Sequence, residues 1–232
     1  MRHAIDLFKN HSEFCVFDLE TTGFKPQNGA KTVQLAARRY RYDHDSRRAT
    51  LLSEINELFD DPEITFIEPA VVAVHRIEVT DLRKRGRAPK GIWNSFEKMT
   101  QNAVLMGQNI ISFDIPFANA DAVRHNKNLR LDPERAIDTL AIAKAPGMWH
   151  LDNNGRNKPG YKLRSLADML GVKTDPALDH DALGDIDTNW QVFLAMLPHI
   201  REYEAKFLKG TPNQYKREFG KIADLGLWGK DH

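Results

Sequence analysis

The chain is poor in cysteine: of 232 residues only Cys15 is one, so no disulfide can close within it. That suits a reducing compartment, and the cytoplasm is the expected location. Cys15 lies in the apolar run "FCVF" and reads as a buried structural thiol, not a nucleophile. Long hydrophobic runs are also missing. The longest, Val192 to Leu197, has six residues, whereas a membrane span needs about 20. The N-terminal "MRHAIDLFKNHSEF" has no apolar h-region, so no secretory signal is read there. A soluble protein with no membrane anchor is expected. Nor is there an excess of one charge. The formal net charge of +1 excludes a histone-like binder but leaves room for a local basic patch. Internal repeats, low-complexity tracts and Cys/His groups with zinc spacing are all absent.

What is present is enough chain for one domain with a core that needs no covalent staples. Residues 13–19 are apolar on both faces, as in a central buried strand. "TVQLAARRYRYD" (32–43) and "RRATLLSEINELF" (47–59) are strand-like and are joined by the turn-rich "DHDS", which predicts an antiparallel meander of three strands. The stretch from Pro69 to Gly86 predicts a short helix and a loop. "GIWNSFEKMTQN" predicts a helix with Ile92, Phe96 and Met99 on one face. "AVLMGQN" reads as a short buried strand, "FDIPFANADAVRHN" as a helix, and "RAIDTLAIAK" as a strand leading into a helix. "YKLRSLADMLGV" is a helix closed by Gly171. A long amphipathic helix follows in "HDALGDIDTNWQVFLAML", with Leu183, Ile186, Trp190, Phe193, Leu194 and Leu197 as its stripe and Pro198 as its stop. Residues 1–198 are read as one domain and 199–232 as a polar helical extension. A meander followed by alternating helix and strand gives a mixed α/β sheet flanked by helices. That pattern suits a ribonuclease H-like architecture, and several others equally well.

Acids recur at the ends of these elements. Asp18 and Glu20 lie two apart on a strand and share a face. Asp114 follows a strand and opens a helix, where an N-cap is the commoner use. Asp138 ends a strand before a helix and reads as an N-cap or a supporting acid, not a ligand. His180 and Asp185 are five residues apart, about 140° around a helix, so a common target needs His180 on the loop before it. Singly, each has an ordinary structural explanation. Together, three segments each deliver hard oxygen donors, which points to Mg²⁺ or Mn²⁺. Clustered carboxylates repel, and two divalent ions are the neutralising clamp used in phosphoryl transfer.

The segments "FDLETTGF", "NIISFD" and "HDALGD", in that order, resemble the three exonuclease motifs of the DEDDh 3′–5′ exonucleases, the superfamily of the proofreading epsilon subunit of bacterial DNA polymerase III. The likeness spans roughly residues 13 to 197. It implies a ribonuclease H-like mixed five-stranded sheet flanked by helices. It implies that Asp18, Glu20, Asp114 and Asp185 hold two Mg²⁺, with Mn²⁺ able to substitute, and that His180 is the general base. "VHRI" around His75 resembles the family's "HGI", with Arg76 in place of glycine. Gln34, and Asn109 five residues before Asp114, lean towards the exonuclease I branch, which degrades single-stranded DNA. At 232 residues the chain is expected to lack that enzyme's extra domains, so its processivity is not carried over.

By the same resemblance Thr21, Thr22 and Phe24 contact the terminal nucleotide, with Phe24 either stacking on a base or buried in the core. His75 and Asn109 are further candidates for substrate contact. The basic run "RKRGRAPK" (83–90) and the loop "NNGRNKPGYK" (153–162) either grip phosphates or are simply solvated. The implied activity is stepwise release of nucleoside 5′-monophosphates from the 3′ end of DNA, preferably single-stranded, with replication or repair proteins as possible partners. An RNA exonuclease on the same scaffold is the alternative. A silent nucleic-acid-binding domain is disfavoured, because all five expected active-site residues are present.

Overall fold

The computed structural model describes residues 2–145, 160–174 and 182–203. Three strands of the expected meander are β1 (Glu13–Thr21), β2 (Thr32–Asp43) and β3 (Arg48–Leu58). Two short strands follow, β4 (Val104–Gly107) and β5 (Ala136–Asp138). They form one five-stranded sheet in the order β3-β2-β1-β4-β5. The pairs β1–β2 and β2–β3 are antiparallel, while β1–β4 and β4–β5 are parallel. β1 is therefore central, which is why it can be apolar on both faces.

Period-2 alternation sorts its side chains. Phe14 and Val16 join Ala36 and Tyr40 of β2, and Val104 and Met106 of β4, in the core on one face. Cys15, Phe17 and Leu19 join Leu35, Ala37 and Leu105 on the other. The second face is covered by α4 (Pro89–Thr100) and α5 (Asp114–Arg124), through Ile92, Trp93, Phe96, Phe117 and Ala118. The first is covered by α1 (Arg2–Asn10), α6 (Thr139–Ala143), α7 (Leu163–Leu170) and α8 (Ala182–Tyr203). Asp18 continues the Phe14–Val16 face, so its carboxyl is presented to the α8 side.

The structure departs from the sequence reading at three places. The N-terminal segment, given no element there, is α1. Its Ala4, Ile5, Leu7 and Phe8 fall at helical spacing and are buried, with Phe8 against Phe14, Tyr42 and Phe193 at ring separations of 5.4, 5.2 and 5.1 Å. Pro198 does not stop α8, which runs on to Tyr203. Buried Met196 and Ile200 hold the helix on both sides of the missing N–H. Leu197 and Ile200 line a cavity of about 70 Å³ with Ala4, Ile5 and Phe8 of α1. Lastly, the loop expected after the short helix α2 (Pro69–His75) is itself a helix, α3 (Val79–Arg85). It is started by a reciprocal capping box between Glu78 and Asp81 and anchored by buried Leu82.

Candidate active site

The parallel strands end at one edge of the sheet, and the acids gather there. β1 delivers Asp18 and Glu20, both part-buried. α5 begins at Asp114, which is buried at 3% exposure. The residue before it, Phe113, occupies the N-cap position, so Asp114 is not used as a cap. Its Oδ1 instead accepts from the backbone N–H of Leu19 at 3.0 Å, one residue past Asp18. That bond pins the start of α5 to the middle of the acidic strand end. Asp185 comes from the first turn of α8.

The electrostatics show that these groups feel one another. The Asp18 carboxyl is held well above the usual range, first by burial and then by the charges of Asp114, Glu20 and Asp185. Glu20 is pushed up to about 7 by burial and by Asp185. Asp114 is pushed up to about 8, chiefly by burial, although the Leu19 N–H works the other way. Acids from three segments far apart in sequence thus act on one another. His180 lies outside the described residues. Among the described residues, no three acidic, histidine or cysteine side chains already stand close enough to hold an ion. The donor set is nonetheless all oxygen, which suits a hard divalent cation. Beneath Asp18 and Asp185 is a cavity of about 150 Å³, also lined by Gly107, Gln108, Leu163 and Asn189.

Asp138 serves as a cap. It accepts from Leu140 N and Ala141 N of α6 at 3.0 and 3.1 Å, and from Asn109 N and Ile111 N at 3.0 and 3.2 Å. It therefore fixes the turn between β4 and α5. Asn109 sits in that turn in the left-handed region, φ 63°, which asparagine tolerates better than most residues. Its carbonyl accepts from Ser112 N and Phe113 N.

The β1–β2 ladder slips by one residue between Glu20 and Thr21. Such a bulge re-aims the strand end. Past it, Thr21 is buried and its hydroxyl donates to the Gly23 carbonyl at 2.7 Å. Thr22 Oγ1 accepts from Lys31 N at 2.9 Å, closing the loop that carries Phe24. Phe24 is 84% exposed, which rules out the core reading.

His75, at the end of α2, is buried, with Nδ1 accepting from Ile77 N at 3.0 Å. Burial lowers its pKa, partly offset by the Thr21 carbonyl beside the ring. Its Nε2 has no hydrogen-bond partner of ordinary geometry. Arg76, where the family motif has glycine, closes α2 at φ 59°. That is the left-handed position glycine fits without strain.

Three arginines of the basic run form ion pairs, while Lys84 and Lys90 are exposed. Arg83 donates to Asp60 and to the Ile64 carbonyl, Arg85 to Asp81, and Arg87 to Glu57. Residues 153–159 of the other candidate loop fall outside the described residues.

Sequence reasoning missed Gly107 and a buried polar chain. A Cβ on Gly107 would stand 2.9 Å from the Phe17 carbonyl, so only glycine lets β4 end this close to β1. The Asn189 amide donates to Thr139 Oγ1 at 2.8 Å, and the Thr139 hydroxyl donates to Gln108 Oε1 at 2.7 Å. The polar "GQN" directly after a buried strand was the one available signal.

A mixed sheet with two antiparallel and two parallel pairings, helices on both faces and acids at the ends of the parallel strands defines a ribonuclease H-like nuclease scaffold. The chain belongs to the exonuclease family RNase_T, whose model matches residues 15–193. It is 28% identical over 194 residues to a DNA polymerase III subunit epsilon-like protein of Rhodobacter capsulatus. It is 30% identical over 190 residues to the PolC-type DNA polymerase III of Streptococcus agalactiae. Those alignments cover 81% and 80% of this chain but only 24% and 11% of the relatives, which are much longer proteins. The fold is that of E. coli exonuclease I. The complex of that enzyme with a dT13 oligonucleotide superposes with a TM-score of 0.62 at 18% identity, over 93% of this chain and 43% of the other. An apo exonuclease I gives 0.64 at the same 18% identity, over 93% of this chain and 47% of that one.

Proposed function

We propose that this chain is a metal-dependent 3′–5′ exonuclease that releases nucleoside 5′-monophosphates from the 3′ end of DNA, with single strands preferred. One observation carries the proposal: acids from three segments gather at one end of the sheet, where the charges of Asp114, Glu20 and Asp185 all raise the pKa of Asp18 and that of Asp185 raises Glu20. Buried, mutually repelling carboxylates are costly to a fold unless a cation uses them.

Asp18, Glu20, Asp114 and Asp185 would hold two Mg²⁺, or Mn²⁺ in their place, with some inward adjustment of their side chains. Such ions, when bound, supply positive charge to the attacking and leaving oxygens of an in-line displacement. His180 accepts the proton of the attacking water as its oxygen bonds to phosphorus and the bond to the 3′ oxygen breaks. To do so it must be neutral, as an imidazole with an ordinary pKa of about 6.5 is above neutrality. Exposed Phe24 offers a stacking face to a base irrespective of sequence. Thr21 and Thr22 shape the loop behind it, and His75 and Asn109 are further candidate substrate contacts.

Structures of exonuclease I with dT13 and dA16 oligonucleotides, with zinc, and with an SSB C-terminal segment support DNA, a metal and replication or repair proteins as partners. We take residues 1–198 as the nuclease domain and 199–232 as an extension, of which residues 204–232 lie outside the described residues. Among the described residues no helix is long and apolar enough to cross a membrane. A DNA-processing role and the single cysteine are in keeping with a cytoplasmic location.

The test is incubation of 5′-labelled single-stranded DNA, duplex DNA and RNA with Mg²⁺ or with EDTA. A ladder shortening one nucleotide at a time on single-stranded DNA, absent in EDTA, is expected. A faster ladder on RNA would move the substrate to RNA. Binding without cleavage in Mg²⁺ or Mn²⁺ would refute the enzyme.

A further inference from the structure

On the α8 face of β2, Ala36, Tyr40 and Tyr42 are buried at 0, 8 and 5% exposure. Arg38 is the one charged residue in that row, with its side chain only 18% exposed. Placing a guanidinium between a sheet and a helix costs desolvation, so a partner is required. Arg38 has two. Its Nε and Nη2 donate to Glu54 Oε2 of β3 at 2.8 and 2.7 Å, and its Nη1 pairs with Asp187 of α8. Asp187 is 52% exposed, yet its other oxygen accepts the Tyr40 hydroxyl at 2.8 Å. The Tyr40 ring stacks on Trp190, one turn further along α8, at 5.0 Å and 9°.

Helix geometry says what this contact controls. At 100° per residue, Ile186 faces the sheet, with Asp187 about 100° to one side and Asp185 about 100° to the other. Buried Ile186 fits that placement. Apolar packing is non-directional and resists rolling weakly, whereas hydrogen bonds and ion pairs fix direction. A carboxylate roughly 5 Å from the helix axis moves on the order of 1 Å for a roll of about 10°. The opposite flank has its own tie, Asn189 to Thr139 at 2.8 Å.

We propose that Arg38, Tyr40 and Asp187 form a latch that sets the roll of α8 and so holds Asp185 against Asp18 and Glu20. Arg38 and Asp187 are then positioning residues for the exonuclease reaction, and this part rests on the function proposed above. Neither belongs to the three acidic motifs, and neither touches the reacting atoms.

The experiment compares wild type with Asp187→Ala, Arg38→Gln, the double variant and Tyr40→Phe, which keeps the stack and loses only the hydroxyl. On single-stranded DNA, Asp187→Ala and Arg38→Gln should lower kcat on the order of 10–100-fold, with KM within about twofold, as expected of a misplaced catalytic group. The double variant should be no worse than either single one, because both break the same latch. Crystal structures of wild type and Asp187→Ala should show the Asp185 carboxylate displaced relative to Asp18. Wild-type kcat in the variants, or a fall in kcat with Asp185 in its original place, overturns the latch. If wild type cuts no substrate, the function fails by itself, and the Asp185 position still decides the latch. If Asp187→Ala does not fold, Tyr40→Phe carries both measurements.

Discussion

Replacing Asp114 by asparagine should stabilise the metal-free protein while destroying its activity. Asp114 is 3% exposed, and its Oδ1 accepts from Leu19 N. Asparagine keeps that acceptor and removes a charge the site disfavours. The carboxyl is pushed from an ordinary 3.8 up to about 8, and at 1.36 kcal/mol per pK unit this is roughly 6 kcal/mol as an upper bound. Asp18 and Glu20 share the same repulsion and can hold protons in its place, so only part of that, on the order of 2 kcal/mol, is expected to be realised. For a domain of this size that is about 4–8 °C in Tm. The sign follows from proton counting. Below about pH 4 the group is protonated in both states and the two proteins should melt alike. Between about 4 and 8 the unfolded chain loses the proton while the folded chain keeps it, so wild-type stability falls as pH rises. Above about 8 the gap is constant. Thermal melts in EDTA from pH 4 to 9 measure it, and added Mg²⁺ should raise the Tm of wild type more than that of Asp114→Asn. A gap that is absent at pH 8.5, or equal at pH 4 and 8.5, would refute the buried-charge account.

Three further outcomes follow from the site. Phe24→Ala, at an 84% exposed position, should leave Tm unchanged. It should weaken single-stranded DNA binding by the roughly 1–3 kcal/mol of one base stack, read as KM or as Kd in EDTA. His180→Asn should lower kcat on the order of 10²–10⁴-fold and abolish the loss of rate on the acid side of neutrality. An unchanged pH–rate profile removes His180 from the proton transfer. Asp138→Ala strands four amide donors, and should cost at least about 2 kcal/mol in urea denaturation; a cost below about 0.5 would show that the cap is dispensable.

The parts of the fold that could be read in the chain are those whose cause is local. The run from Phe14 to Leu19 announced a strand buried on both faces, and Ile92, Phe96 and Met99 announced α4, because periodicity is set by neighbours a few residues away. Pro198 misled because the rule that proline ends helices weighs only the lost hydrogen bond, whereas buried Met196 and Ile200 hold α8 together across it. Phe24 could not be assigned to core or solvent, since an aromatic residue suits either until the loop closed by Thr22 and Lys31 places it outside.

From the sequence alone came the identity of the acids, their order in three motifs, the oxygen-only donor set and the mixed α/β class. Tertiary structure alone decided that Asp114 bonds to Leu19 rather than capping its helix, that Asp138 also fixes the turn between β4 and α5, that three arginines of the basic run are ion-paired, and that Asp187 ties α8 to β2. The division has one physical reason. Side-chain chemistry and short-range period are carried by each segment wherever it goes. The direction of a carboxyl, and the charge it then feels, depend on segments nearly a hundred residues away that meet it only once the sheet has formed.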